Sequence, residues 1–295
     1  MMAALEHRIR MRSPAKLNLY LEITGKRPDG YHELRMLNTG LDLADIVNVE
    51  ISPDRNIQIL CEAPGVPLGP DNLCARAAEV FFRAFPQTRT GLRITIEKRI
   101  PVAGGLGGGS SNAAAALFAL SRLCKPELGT EDLIRLGAQV GADVPFFLFR
   151  SPAWVSGIGD VLSDAPPLPA YTFLIVRQDF GVSTAEAFAQ YDLTKRDNRD
   201  NLNDSKNIKI APQDFISRND LEAVAATYFP RITQAKTELL EAGAIGAMMT
   251  GSGPTVFGVF SDRMSAVRAC ELVGRSLKRE MVLSQGLEGP LLIEC

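Results

Sequence analysis

Residues 104–109 place five glycines in six positions, and Ser110, Ser111 and a run of alanines follow at once in "PVAGGLGGGSSNAAAALFAL" (101–120). Glycine weakens a fold unless the backbone must turn sharply or something must come close to it. A helix-former directly after such a loop begins with free amide N–H groups and the positive end of a helix dipole. That arrangement is an anion site, and phosphate is the anion it suits. Ser110 and Ser111 are expected to cap the helix and to offer hydroxyls to a phosphate or its metal. Gly107 is expected to be bare because a phosphate must sit against it. Two other glycine loops do not fit. A dinucleotide fingerprint built on Gly105 and Gly107 needs glycine at 110, and a P-loop built on Gly104 and Gly109 needs lysine there; the residue is Ser110. A plain strand-to-helix turn needs one or two glycines, so five argue for the anion site.

A second glycine turn, "MTGSGPTVFGVF" (249–260), joins two apolar segments. One glycine would make that turn. Gly251 and Gly253 around Ser252 suggest a second wall of the same site, with a tight turn as an equal alternative.

The elements that must carry these loops follow from periodicity. "AKLNLYLEIT" alternates, with Leu17, Leu19, Leu21 and Ile23 on one face and Lys16, Asn18, Tyr20 and Glu22 on the other, which predicts a half-buried strand. "RPDGYH" ends it as a turn. "DIVNVEIS", "NIQILCE" and "LRITIEK" read as strands. Asp71 or Asn72 opens a helix whose stripe is Leu73, Ala77, Val80, Phe81 and Ala84, stopped by Pro86. "TEDLIRLGAQVG" is a helix with Thr130 as N-cap and Gly141 at its end. After the proline-rich "SDAPPLPAY", "TFLIV", "AIGAMM", "TVFGVF" and "PLLIE" read as strands. "STAE", "DLEAVAATYF", "RITQAKTELLEAG" and "MSAVRACELVGRSLK" lie in or open helices. Residues 194–207 are polar and irregular. No regular strand–helix–strand beat appears, so the fold class is α+β. The chain of 295 residues is comfortable for two domains, divided as 1–165 and 166–295.

Bulk properties exclude several functions. With 46% hydrophobic residues, 22% charged residues and a net charge of −2, there is no basic field for nucleic acid or an anionic membrane. The longest apolar runs are too short to span a bilayer, and "MMAALEHRIRMRSPAK" lacks the apolar segment of a secretory signal. Five scattered cysteines without a CxxC pair read as reduced thiols, so a cytoplasmic location is expected. Trp154 is expected in the core.

Taken in order, "SPAKLNLYLEITGKRPDGYHEL", "PVAGGLGGGSSNAAAAL" and "MTGSGPTVFGVF" resemble the three motifs of the GHMP kinases. "GADVPFF" (141–147), "GVSTAE" (181–186) and "RNDLE" (218–222) are most similar to the members acting on a cytidine-diphosphate-linked polyol. The likeness runs nearly end to end and is weakest over 190–215. It implies a two-domain kinase with a ribosomal-protein-like N-terminal domain, a ferredoxin-like C-terminal domain and the active site between them. It implies transfer of the ATP γ-phosphoryl to the C2 hydroxyl of diphosphocytidyl methylerythritol, in non-mevalonate isoprenoid synthesis. Mg²⁺ would arrive with the nucleotide, no metal site of the protein's own is expected, and the chain would be a monomer or weak homodimer.

Phosphoryl transfer is positioning plus charge neutralisation, with a carboxylate to take the hydroxyl proton. The resemblance assigns that pair to Lys16 and Asp143. Read alone, Lys16 is a solvated strand lysine and Asp143 a loop acid or cap; a cation beside a carboxylate favours its charged form. ATP would meet Pro101, Val102, Ala103, Gly104, Gly105, Leu106, Gly107, Gly108, Gly109, Ser110 and Ser111, with Asn72 and Lys98 bordering the adenine. The substrate would meet Asn18, Gly251, Ser252 and Gly253. Its cytosine would stack on Tyr31, with His32 at the base edge and Phe188 on the far face; Tyr191 rivals Phe188. Homoserine or mevalonate kinase is the nearest competing reading, and Tyr31 and His32 argue against it, since those substrates carry no base. A related decarboxylase would share the glycine loop. A non-catalytic sensor is disfavoured because Lys16 and Asp143 are both present.

Overall fold

The computed structural model describes residues 7–125, 127–197, 216, 218–277 and 279–295. Its elements are β1 (Arg8–Lys26), β2 (His32–Ser52), β3 (Ile57–Leu60), α1 (Leu73–Ala84), β4 (Gly91–Glu97), α2 (Gly108–Cys124), α3 (Thr130–Val140), α4 (Val144–Leu148), β5 (Ala153–Gly157) and β6 (Val161–Asp164). These are followed by β7 (Thr172–Val176), α5 (Thr184–Asp197), α6 (Glu222–Tyr228), α7 (Pro230–Glu241), β8 (Gly246–Met249), β9 (Val256–Phe260), α8 (Arg263–Leu277), β10 (Met281–Leu287) and β11 (Ile293–Glu294). The architecture is α+β. Among the described residues no helix is long and apolar enough to cross a membrane, and all five cysteines are free thiols.

One sheet runs through both halves in the order β11-β1-β2-β10-β7-β9-β8. β1 and β2 form a long antiparallel hairpin. The other edge of β2 is shared in succession by β5, β10 and β4. β10 is the splice: Gly286 and Leu287 pair with β2, while Met281–Gln285 pair with β7. The 165/166 division falls between β6 and β7, and the chain returns afterwards, through β10 and β11, to β2 and β1. The sequence reading missed β5, β6 and β10, which are short or alternate weakly.

The predicted half-buried β1 is corrected. Its register with β2 shifts between Pro14 and Lys16, between Asn18 and Tyr20, and again between Ile23 and Gly25. Leu17 and Leu19 therefore enter a core with Phe173, Phe257 and Met248 of the second half. Leu21 and Ile23 join Met11, Val47 and the helices α1–α4 in the larger core. Both faces of β1 are covered, so Lys16, Asn18, Tyr20 and Glu22 are buried as well. Period-2 reading assumes a strand without bulges.

Helix α1 starts at Asn72, whose Oδ1 accepts from the Cys74 amide at 2.8 Å. Phe81 and Phe82 bury its inner side, each contributing about 1.5–3 kcal/mol; Ala84, predicted on that stripe, is exposed. α3 is capped at Gly129, not Thr130, and no side chain bonds its first turn. α2 runs through the centre, buried along Ser111–Leu117. The alanines are there because only small side chains let neighbouring elements close on every face of a helix.

Candidate active site

The glycine loop leaves β4 and enters α2. Ala103, Gly105 and Gly107 have φ of 56°, 74° and 70°, the left-handed region in which glycine is unstrained. Gly107 is the N-cap, so Ser110 and Ser111 lie inside the first turns and neither caps the helix. Ser111 is fully buried and accepts a hydrogen bond from Ser13 Oγ at 2.8 Å. Of the two serines only Ser110 lines the cleft. The reason given for Gly107 also changes. A Cβ there would lie 2.9 Å from Phe147 Cζ and 3.0 Å from Lys16 Cγ, so its bareness admits protein side chains.

A cleft of about 360 Å³ opens against the loop, lined by residues 101–110 with Gly65, Val66, Pro67, Asn72, Ile96 and Lys98. It collects every expected nucleotide residue except Ser111. The first-turn amides of α2 have no partners within a helix, and the helix dipole adds its positive end. Asn72 and Lys98 are already engaged. Asn72 Nδ2 donates to the Pro67 carbonyl at 2.7 Å. Lys98 pairs with fully buried Asp45, which also accepts from the Arg99 and Ile100 amides and from Asn112 Nδ2 at 2.7, 2.8 and 2.9 Å. Asp45 thus ties β2 to the strand end that feeds the loop.

Lys16 and Asp143 lie on the far side of the same loop. The Lys16 amide donates to the Leu106 carbonyl at 3.0 Å. Lys16 Nζ donates to Asn18 Oδ1 at 2.7 Å and lies 3.6 Å from Asp143 Oδ2. Asp143 sits where α3 ends at Gly141 and α4 begins, and its carboxylate makes no capping bond. Its side chain is 37% exposed, against 4% for that of Lys16. The result is a buried cation aimed at a carboxylate that reaches solvent beside an anion loop.

Asn18 is the hub of this side. Its Nδ2 donates to Asn38 Oδ1 at 2.7 Å, and its backbone amide donates to Thr250 Oγ1 at 3.1 Å. The second glycine loop closes over it: a Cβ on Gly105 would meet the Thr250 carbonyl at 2.8 Å, and one on Gly251 would meet Gly105 O at 3.4 Å. The two glycine loops are bare where they touch each other. Asn219 fixes the second loop by donating to the carbonyls of Met249 and Gly251 at 2.8 and 2.9 Å, and Ser252 meets Thr184 at 2.9 Å. Asn38, Thr250, Asn219 and Asp45 were not read from the sequence. Only the polar "RNDLE" hinted at Asn219, because a buried hydrogen-bonding role leaves no periodic signal.

The third group lies at the turn that closes the β1–β2 hairpin. Tyr31 is 61% exposed. The His32 ring stacks on Phe188 of α5, with centroids 4.8 Å apart, and its Nε2 meets Asp192 Oδ1 at 2.7 Å. Tyr191, the alternative to Phe188, is buried edge-on to His32, and its hydroxyl is pushed up to about 12 by burial and by nearby Asp220. A cluster of Arg218, Glu22 and Asp220 clasps α6 to β1 next to it. Tyr20 Oη donates to Glu22 Oε2 at 3.0 Å, and burial together with Glu22 raises its pKa. Trp154, expected in the core, is only partly buried: it packs edge-on against Tyr20 at the margin of the smaller core. The stretch 198–215 lies outside the described residues.

The sequence matches the N-terminal domain of the GHMP kinases over residues 72–151 and their C-terminal domain over 205–278. A 4-diphosphocytidyl-2-C-methyl-D-erythritol kinase of Syntrophotalea carbinolica is 43% identical over 261 residues, spanning 88% of this chain and 92% of its own. One of Geotalea daltonii is 40% identical over 275 residues, spanning 90% and 95%. A crystal structure of 4-(cytidine 5'-diphospho)-2C-methyl-D-erythritol kinase superposes with a TM-score of 0.76 at 30% identity, covering 94% of this chain and 99% of that one. A homoserine kinase from Cytophaga hutchinsonii shares the fold with the same TM-score at 16% identity. By its two domains and its identity to these enzymes across nearly its whole length, the chain belongs to the GHMP kinase family, in the branch of the 4-diphosphocytidyl-2-C-methyl-D-erythritol kinases.

Proposed function

We propose that the protein transfers the γ-phosphoryl of ATP to the C2 hydroxyl of 4-diphosphocytidyl-2-C-methyl-D-erythritol. The observation that carries this reading is the placement of Lys16 and Asp143 immediately behind the glycine loop, with the His32–Phe188 pair at the far end of the same hairpin. ATP lies in the cleft, its phosphates against the amides of Gly108, Gly109 and Ser110. Asp143 takes the proton of the substrate hydroxyl. Lys16, held by Asn18, balances the charge that moves between donor and acceptor oxygens.

Mg²⁺ is a hard cation that prefers oxygen ligands and keeps much of its water. Ser110 lines the cleft and the Asp143 carboxylate stands on the other side of the loop; so few oxygens suit an ion that arrives with the nucleotide, and it would neutralise phosphate charge there. Gly251, Ser252 and Gly253 form the wall beside Asn18. Tyr31 supplies a flat face for the cytosine, and His32, backed by Phe188 rather than standing apart from it, supplies a polar edge. Stacking gives affinity without choice among bases, so hydrogen bonds to the edge must give the choice.

The test is ADP release across a panel of alcohols that includes the diphosphocytidyl compound, homoserine and mevalonate. Turnover confined to the diphosphocytidyl compound is expected. Turnover of homoserine or mevalonate in its place overturns the proposal.

A further inference from the structure

Asp192 stands on α5 four residues after Phe188, on the same face of the helix, and it receives His32 and Lys26 on its two oxygens. Burial works against its charge, but the hydrogen bonds from Lys26 and His32 outweigh that and keep the carboxyl below its ordinary range. An ionised carboxylate only accepts hydrogen bonds, so the proton between the two groups belongs to His32 Nε2. His32 Nδ1 has no hydrogen-bond partner among the described residues. The ring is also held flat against Phe188 with an interplanar angle of 19°, so its direction is fixed as well as its proton.

We infer that Asp192 is a positioning residue for base choice: it locks His32 in the Nε2–H form, leaving Nδ1 as a hydrogen-bond acceptor for the exocyclic amino group of cytosine. A uracil presents a carbonyl oxygen at that position. Two acceptors would then face each other, and a buried acceptor left unmet is costly. Without Asp192 the ring can turn over or take its proton on the other nitrogen, and the distinction fades. This inference rests on the proposed cytidine-linked substrate.

Two measurements test it. The protein has two histidines, His7 and His32, so nitrogen-15 spectra are simple to assign. The parent should show His32 protonated at Nε2 and bare at Nδ1, with the Nδ1 resonance moving when CDP is added. In Asp192→Ala, the preference for CDP over UDP as a competitor against the cytidine-linked polyol should fall roughly tenfold, while KM for ATP stays as in the parent. A merely structural role would move both nucleotides together. A parent His32 protonated at Nδ1, or on both nitrogens, overturns the inference, and so does an unchanged CDP preference in Asp192→Ala. Both results leave the proposed reaction standing if the parent turns over the cytidine-linked polyol. A parent that neither uses that polyol nor is inhibited by CDP removes the proposed reaction, and the inference with it.

Discussion

Replacing Lys16 by methionine keeps most of the side chain's bulk and removes its charge. Three terms decide what the fold loses. The bond to Asn18 Oδ1 at 2.7 Å goes; a hydrogen bond from a charged donor is worth about 1.5–3 kcal/mol. Thr250 Oγ1, 3.4 Å from the same oxygen, replaces it weakly. The attraction to Asp143 at 3.6 Å is about 5 kcal/mol at an effective dielectric of about 20. Asp143 is more than a third exposed, and solvent reduces that toward the roughly 1 kcal/mol of a surface pair. Against both losses stands the burial of an ammonium group, which costs several kcal/mol and is relieved by methionine. The net effect on stability is therefore within about 2 kcal/mol, a melting shift of no more than about 8 °C. The reaction has no such offset. Loss of one preorganised charge at a developing oxyanion costs about 10²–10³ in kcat. Coupled ADP release and a thermal melt on Lys16→Met measure the two quantities. A variant that melts with the parent and keeps kcat within threefold refutes the catalytic role; one unfolded at room temperature refutes the stability arithmetic.

Asp143→Asn should lower kcat by roughly 10²–10⁴ with ATP affinity unchanged by equilibrium titration, because the shape stays and the base goes. Gly105→Ala would push a methyl against the Thr250 carbonyl at a φ of 74°; it should destabilise by about 1–3 kcal/mol in a thermal melt and raise KM for ATP. Ala103→Gly relieves a residue at a φ of 56° and should leave stability equal or slightly higher, since glycine's greater freedom in the unfolded chain offsets the strain. Tyr31→Ala should weaken CDP competition by about 1–3 kcal/mol, with a smaller effect on ATP.

The glycine loop was legible because five glycines before a helix have few physical meanings, and the second loop because its partner walls are strands of obvious apolarity. Lys16 and Asp143 were legible only through the motifs around them; charge alone does not reveal that β1 is covered on both faces. The bulges in β1 hid that covering, since a shifted register sends Leu17 and Leu21 to different cores while the letters still alternate. Ser111 looked like a cap because hydroxyls before alanines usually are one; the left-handed Gly107 moved the helix start two residues earlier than a Ser110 start. Asn38, Asp45, Thr250 and Asp192 were illegible because each acts through partners distant in sequence. A pairwise contact leaves no period behind.

β11 pairs Glu294 with Met11 and Ile293 with Arg12, and β10 carries the sheet from one half to the other. The strand that bears Lys16 and Asn18 is thus hemmed by residues nearly the whole chain away. During synthesis β1 and β2 leave the ribosome early and β4 and β5 can pair most of the far edge of β2, yet its Gly40–Leu41 stretch and the Met11–Arg12 edge of β1 wait for residues after 280. Contacts of such long sequence separation form late, after a large loop-closure entropy has been met. The nascent first half therefore exposes two short stretches of unpaired strand edge and a polar pocket without its second wall. It is the species most open to aggregation and to chaperone capture, and the assembled kinase site emerges only with the final strands.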